Sequence, residues 1–386
     1  MAYTKPSAPF YTKLAMVLIS LIALFYIAIL GRTILAPLIF GLLFAMLLLP
    51  LAHFLEVRLR LPRSLSSILS VLSLLVAINL ILYMVGAQIS TLTEDWPQFK
   101  QQVLSSLNDL QHWISTKFHI RIKQQNAYLD TATSKLLATG SSVLGTAVLS
   151  ISSMVLFMVF VMFDTFFLLY YRRLIVRFLV AVFKEENALT VYDIIAHIQS
   201  RIRQYIFGLV LEMIIVAAAT FLALWILGVK YALLLGLITG LFNVVPYIGI
   251  ITAMILSALV TFATAGAAKV LIVAGTIVGI HLIDANVLLP IIVGSKVRIN
   301  ALITVLGVIV GESVWGITGT FLAIPVIAMT KIIFDRIGPL KPWGMLLGDE
   351  KDEEQPAPLK EEIKEAGGVN PDERGSSTAG PPEKDQ

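Results

Sequence analysis

The chain has 386 residues and a mean hydropathy of +0.86; 57% of it is hydrophobic, only 14% is charged, and the formal net charge is +4. Soluble domains carry about 25% charged residues, so this balance excludes an ordinary soluble protein and points to a polytopic membrane protein. The absence of cysteine excludes disulfides, thiolate metal sites, iron–sulfur clusters and a cysteine nucleophile.

A spanning helix needs about 20 mostly apolar residues. In chain order the expected spans are Leu14–Leu30, Ile34–Leu51, Leu65–Val85, Val143–Tyr170, Gly208–Leu227, Ala232–Val245, Ile248–Thr264 and Val270–Leu289. The first follows Lys5 and Lys13 but leads through Gly31-Arg32 straight into more apolar sequence, which reads as an uncleaved anchor. Between the third and fourth spans, residues 86–142 are polar. Leu104, Leu107, Leu110 and Ile114 recur there at helical spacing, giving one apolar stripe on a surface helix. After the fourth span, residues 171–207 are basic and amphipathic. Two shorter runs, Ala301–Val310 and Thr320–Phe334, flank the glycine-rich GESVWGITG. Short runs joined by glycines read as a re-entrant or broken hairpin. From Asp349 onward the tail carries twelve acidic and five basic residues and few large apolar ones, so it is expected to stay disordered.

The expected organisation is therefore all-α, with about eight transmembrane helices. Residues 1–85 hold three spans, 86–142 an extracytoplasmic helical insert, and 143–207 a fourth span with its basic segment. Residues 208–345 form a core with broken helices, and 346–386 an acidic tail. Basic residues cluster at the N-terminus, at Arg58, Arg60 and Arg63, across 171–207, at Lys296 and Arg298, and at Lys331, Arg336 and Lys341. That alternation predicts both termini in the cytoplasm of a bacterial cell with the chain in its inner membrane.

Polar groups inside apolar runs are the candidates for function, because ionisable residues at bilayer depth are costly. Glu212 sits in GLVLEMIIVAAA, and on an ideal helix Arg201, Tyr205, Gly208 and Glu212 fall within about 40° of one another. The stretch NVVPYIG places Asn243, Pro246 and Gly249 together. Pro246 removes a helical hydrogen bond and Gly249 relaxes the backbone, so a break with freed carbonyls, a simple kink and a tight turn are all open readings. HLIDANVLLP places His281 and Asp284 on one helix face, with Asn286 about 200° further round and Pro290 ending or kinking the helix. The pair could pass a proton, gate a cation, or only glue helices together. Gly316 and Gly319 lie in the glycine turn beside Trp315, which reads as an interfacial anchor.

There is no G-x-x-x-x-G-K-[ST], H-E-x-x-H or G-x-S-x-G, so neither a nucleotide-driven engine nor a familiar hydrolase is indicated. No cofactor, metal site or nucleic-acid partner is called for, and the chain is not expected to be an enzyme.

Two segments, PYIG at Pro246–Gly249 and DANVLLPIIVGSKVRINALITVLGVIVGESVWGITGTFLAIP at Asp284–Pro325, resemble the autoinducer-2 exporter-like (AI-2E) permease family. The matching positions are Asp284, Asn286, Pro290, Gly294, Gly311, Trp315, Gly316, Gly319, Ala323 and Pro325. Ile250 and Ala301 depart from prolines common in that family. The resemblance implies a secondary transporter exporting a small polar solute. Its mixed membership also admits a Na+(Li+)/H+ antiporter and implies a homo-oligomer, with a pentamer as one form. Glu212, Asp284, His281, Asn243, Asn286 and Arg201 are the coupling candidates, and Pro246, Gly249, Pro290, Gly316, Gly319 and Pro325 the candidate helix breaks. From another class, a membrane scaffold recruiting partners through the insert or the tail fits the composition too.

Overall fold

The computed structural model describes residues 9–94, 155–244, 248–265, 267–294 and 299–348, with scattered positions between 97 and 116. Every described element is helical. Helices α1 (Phe10–Leu30), α2 (Arg32–Val57) and α3 (Arg63–Glu94) follow one another closely. Helix α4 (Val155–Tyr170) bends by 71° into α5 (Arg172–Val182). Helix α6 (Ala188–Ile226) is the longest, then come α7 (Ala232–Asn243), α8 (Ile248–Ala265) and α9 (Ala267–Ile283). The last of these continues as π-helix through Asp284–Leu288 and Pro290–Gly294. Helices α10 (Ala301–Trp315), α11 (Ile317–Arg336) and the short α12 (Lys341–Leu347) close the described part.

By length and composition, five helices can cross a bilayer, or six if the bent α4–α5 pair is one span. The expected eight are not all full-length. The run expected to span at Ala232–Val245 is a helix of 12 residues, about 18 Å at 1.5 Å per residue and well short of the roughly 30 Å hydrocarbon core. Its apolar composition comes from burial between α6 and α8. Helices α10 and α11 do form the hairpin expected at the C-terminal side, turning at Gly316, whose φ of +62° lies in the left-handed region. Gly319 and Pro325, expected as breaks, both lie inside α11. Gly319 is there for contact: a Cβ on it would overlap the backbone of Gly311 on α10. Pro325 costs α11 one hydrogen bond, which a long packed helix tolerates.

Three apolar clusters hold the bundle. One joins α6 through Leu224 to Leu234 and Leu235 of α7, Val260 of α8, and Val273 and Ile277 of α9. A second packs Leu43 of α2, Ile202, Tyr205 and Ile206 of α6, and Leu322 of α11. The third binds Ala45, Leu48 and Ala52 of α2 to Leu169 of α4. Outside these clusters, long apolar side chains such as Ile22, Tyr83, Ile226 and Leu271 are exposed, as a surface facing lipid requires.

Of the insert, the described positions are helical and Leu104 is exposed; Leu107, Leu110, Ile114, the acidic tail from Asp349 and Pro246 lie outside the described residues.

Candidate functional site

The site is built by close helix packing. After α6 the chain reverses through Gly228 (φ +64°) and Tyr231 (φ +61°) into α7. Gly236 and Gly240 then face α6. A Cβ at Gly236 would lie 2.8 Å from the Ala217 carbonyl oxygen, and one at Gly240 2.5 Å from that of Met213. Small residues four apart let two membrane helices touch along their backbones. The next residue in that stripe is Asn243, carried to Glu212. Gly249 has the same use: a Cβ there would be 2.5 Å from the Phe242 carbonyl oxygen, so it admits α8 against the end of α7. Its φ is not positive, and space rather than backbone freedom explains the glycine.

Asp284 arrives from α9 at the start of the π-helical segment, where the Leu289 N–H donates to the Asp284 carbonyl five residues back. The ring of Pro290 crowds the preceding turn, and a wider turn with an extra residue relieves it. Thus Pro290 widens the helix instead of ending it. Gly208 of α6 lets this segment approach, since a Cβ there would be 2.8 Å from the Ile292 carbonyl oxygen.

The result brings three of the sequence candidates together. The Asn243 side-chain amide donates to Glu212 Oε1 at 3.3 Å and to Asp284 Oδ2 at 3.1 Å. Both acids are buried, with 2% and 3% of their surface exposed, and the same amide nitrogen bonds an oxygen of each. Glu212 Oε2 and Asp284 Oδ1 have no hydrogen-bond partner, and among the described residues neither acid makes an ion pair with a basic group. Two facing carboxylates are both acceptors. Isolated buried charge of this kind is untenable without compensation. A proton between them would turn one into a donor, and a small cation would bind both.

Beside the pair lies a cavity of about 10 Å³, lined by Thr220, Thr239, Asn243, His281 and Asp284 among apolar neighbours. That is room for about one water-sized guest. Thr239 bonds back to the Leu235 carbonyl at 2.6 Å, whereas the buried Thr220 hydroxyl has no partner. Neither threonine stood out in the sequence, because single hydroxyls in apolar helices are common. The spacing of Gly236 and Gly240 was a usable signal for the α6–α7 contact.

The other candidates sit elsewhere. Asn286 is exposed and donates to the Leu282 carbonyl of its own helix at 2.8 Å. Arg201 is exposed, while Tyr205 and Gly208 on the same helix are buried. The indole of Trp315 donates to the Ala28 carbonyl of α1 at 2.8 Å, tying the α10–α11 turn to the first helix. A further acid, Glu56, lies half-buried at the end of α2. Arg172 at the α4–α5 bend donates to both of its oxygens, at 2.7 and 2.6 Å.

A bundle of apolar helices, five or six of them able to cross a bilayer, defines the chain as a polytopic membrane protein, and its sequence relatives give the transporter class. Its sequence agrees: the profile of the AI-2E family transporters matches residues 18–338, and the chain belongs to that family. It is 26% identical over 288 residues to YueF of Bacillus subtilis (strain 168), a transport protein by name only, covering 71% of this chain and 77% of YueF. It is 26% identical over 321 residues to the AI-2 transport protein TqsA of Escherichia coli (strain K12), covering 82% of this chain and 90% of TqsA. YrrI of Bacillus subtilis is 32% identical over a shorter stretch of 129 residues, a third of this chain.

Proposed function

We propose that the protein is a secondary transporter that exports a small polar solute and couples the movement to a proton or small cation held by Glu212 and Asp284. The observation that carries this reading is the Asn243 amide bonded to two buried acids whose remaining oxygens have no partner. Such a pair demands a positive charge, and among the described residues no basic group supplies it, which supports an exchangeable one. Asn243 sits at the end of α7, where α7 and α8 meet, and movement of that junction would change both hydrogen bonds at once. His281, lining the same cavity, is placed to relay a proton. Outward transport of a polar solute rests on the family resemblance alone; the printed name of TqsA adds AI-2 transport and no direction. On this reading the chain sits in the bacterial inner membrane with cytoplasmic termini and works as a homo-oligomer.

A second reading is a Na+(Li+)/H+ antiporter with no organic substrate. It is favoured by the cavity, whose volume of about 10 Å³ admits one water or one dehydrated cation and no organic solute. In proteoliposomes carrying an internal pH dye, sodium or lithium pulses alone driving proton flux would favour the second reading. Flux that needs an organic solute would favour the first. Proton flux in Glu212→Gln and Asp284→Asn equal to wild type would remove the pair from either. Absence of flux under every condition, with function lost on deleting residues 86–142 or the tail, would leave the scaffold.

A further inference from the structure

The bend after α4 has a consequence separate from transport. Helix α5 leaves the apolar α4 at 71°, so if α4 crosses the bilayer, α5 runs close to the membrane plane. It has three sides. Arg172, Ile175, Val176 and Leu179 face the protein, lining a cleft with Leu42, Met46, Ile198 and Met329, and Arg172 is spent on Glu56. Going round at 100° per residue, Leu174, Phe178 and Val182 form a second side. They are 58%, 62% and 61% exposed, and Phe183 after them is 52% exposed. Arg173 and Arg177 form the third side and are also exposed. The helix contains no acidic residue; Glu185 and Glu186 come after its end, and Glu186 pairs with Lys184.

We infer that α5 lies in the headgroup layer of the bilayer, with Leu174, Phe178 and Val182 immersed among the acyl chains and Arg173 and Arg177 binding the phosphates of anionic lipids. An apolar flank beside a cationic flank on a helix in the membrane plane is the arrangement that binding to an anionic interface needs. Lipid is favoured over a second copy of the chain as occupant because the two flanks are split by chemistry along the helix axis. Water meets one and hydrocarbon the other, and the purely basic charge matches anionic headgroups. Glu56 and Arg172 fix the angle at which the helix leaves the bundle.

The absence of native cysteine makes the test clean. Single cysteines at positions 173, 174, 177, 178 and 182 of the full-length protein, spin-labelled in liposomes containing phosphatidylglycerol, are exposed to oxygen and to a water-soluble nickel chelate. Labels at 174, 178 and 182 are expected to meet oxygen preferentially, and labels at 173 and 177 the nickel. Uniform access to nickel would place the helix in water and overturn the inference. Shielding of 174, 178 and 182 from both reagents would show a protein surface covering them, and would overturn it equally. The variant Arg173→Gln/Arg177→Gln keeps the apolar flank. In nanodiscs of mixed phosphatidylglycerol and phosphatidylcholine its retention of the anionic lipid, read by native mass spectrometry, should fall about fivefold for each arginine removed. Unchanged retention would contradict the assigned role of the arginines.

Discussion

Two acidic sites in this protein, one buried and one half-buried, are solved in opposite ways. At the end of α2, Glu56 meets the guanidinium of Arg172 through two hydrogen bonds and is neutralised by the protein itself. At the junction of α6, α7 and α9, Glu212 and Asp284 share one neutral amide, and both acids keep one oxygen without a partner. A carboxylate matched by a fixed arginine has nothing left to bind and can only hold structure. A carboxylate matched by another carboxylate has to borrow its positive charge. The contrast separates scaffold from mechanism more sharply than burial does, since both sites are largely withdrawn from solvent.

Substitutions can break that contrast, and the largest effect belongs to the unmatched pair. Glu212→Gln and Asp284→Asn should each lower ion-coupled flux in proteoliposomes by at least about 100-fold, as expected when a group required in every turnover is lost. Their thermal unfolding should be unchanged or raised, because removing one of two facing charges relieves the site. Glu56→Gln should do the reverse. It leaves Arg172 without its counter-charge and should cost about 1–3 kcal/mol of stability, between the values for an exposed and a buried pair, while flux per folded molecule stays near wild type. Replacing both partners with apolar residues, Glu56→Leu/Arg172→Met, should recover most of that loss, and a thermal melt in detergent checks both.

Smaller effects sharpen the same comparison. Gly240→Ala puts a methyl against the Met213 carbonyl, where a Cβ would lie 2.5 Å from the oxygen. Pushing α7 off α6 should cost about 1–3 kcal/mol and also reduce flux, because it moves Asn243 away from Glu212. Asn243→Ala removes both hydrogen bonds and should lower flux about tenfold, corresponding to roughly 1.4 kcal/mol, with little change in melting. Asn286→Ala lies at the bottom of the order. It bonds only to its own helix, and flux should stay within about twofold of wild type, since single exposed groups of this kind contribute within about 0.5 kcal/mol.

Much of the architecture was readable before any coordinates, because long apolar runs in a chain of this composition have few other uses. Glu212 and Asp284 were readable for the same reason: each interrupts an apolar run. Which polar groups meet was not readable. Asn243 is 31 residues from Glu212 and 41 from Asp284, and only the antiparallel turn at Gly228 and the backbone contact at Gly240 join them. Helical spacing put Arg201 on the face of Glu212, but that face leaves the bundle before it reaches the arginine, which is exposed. Glycine carried two meanings that sequence could not separate: Gly316 makes a turn, while Gly319, three residues on, makes a helix contact. The 12-residue α7 looked like a span because a helix buried between two others is as apolar as one in lipid.

The central claim is that Glu212 and Asp284 together hold one exchangeable positive charge. Infrared difference spectroscopy of the protein in lipid, in buffer whose only cations are bulky organic ones, tests it directly. With no small cation to bind, the account predicts a protonated-carboxyl C=O band that sodium or alkali titrates away, and that is missing from Glu212→Gln/Asp284→Asn. If the double variant and the wild type give superimposable spectra through the whole titration, the pair holds no such charge and the account is contradicted.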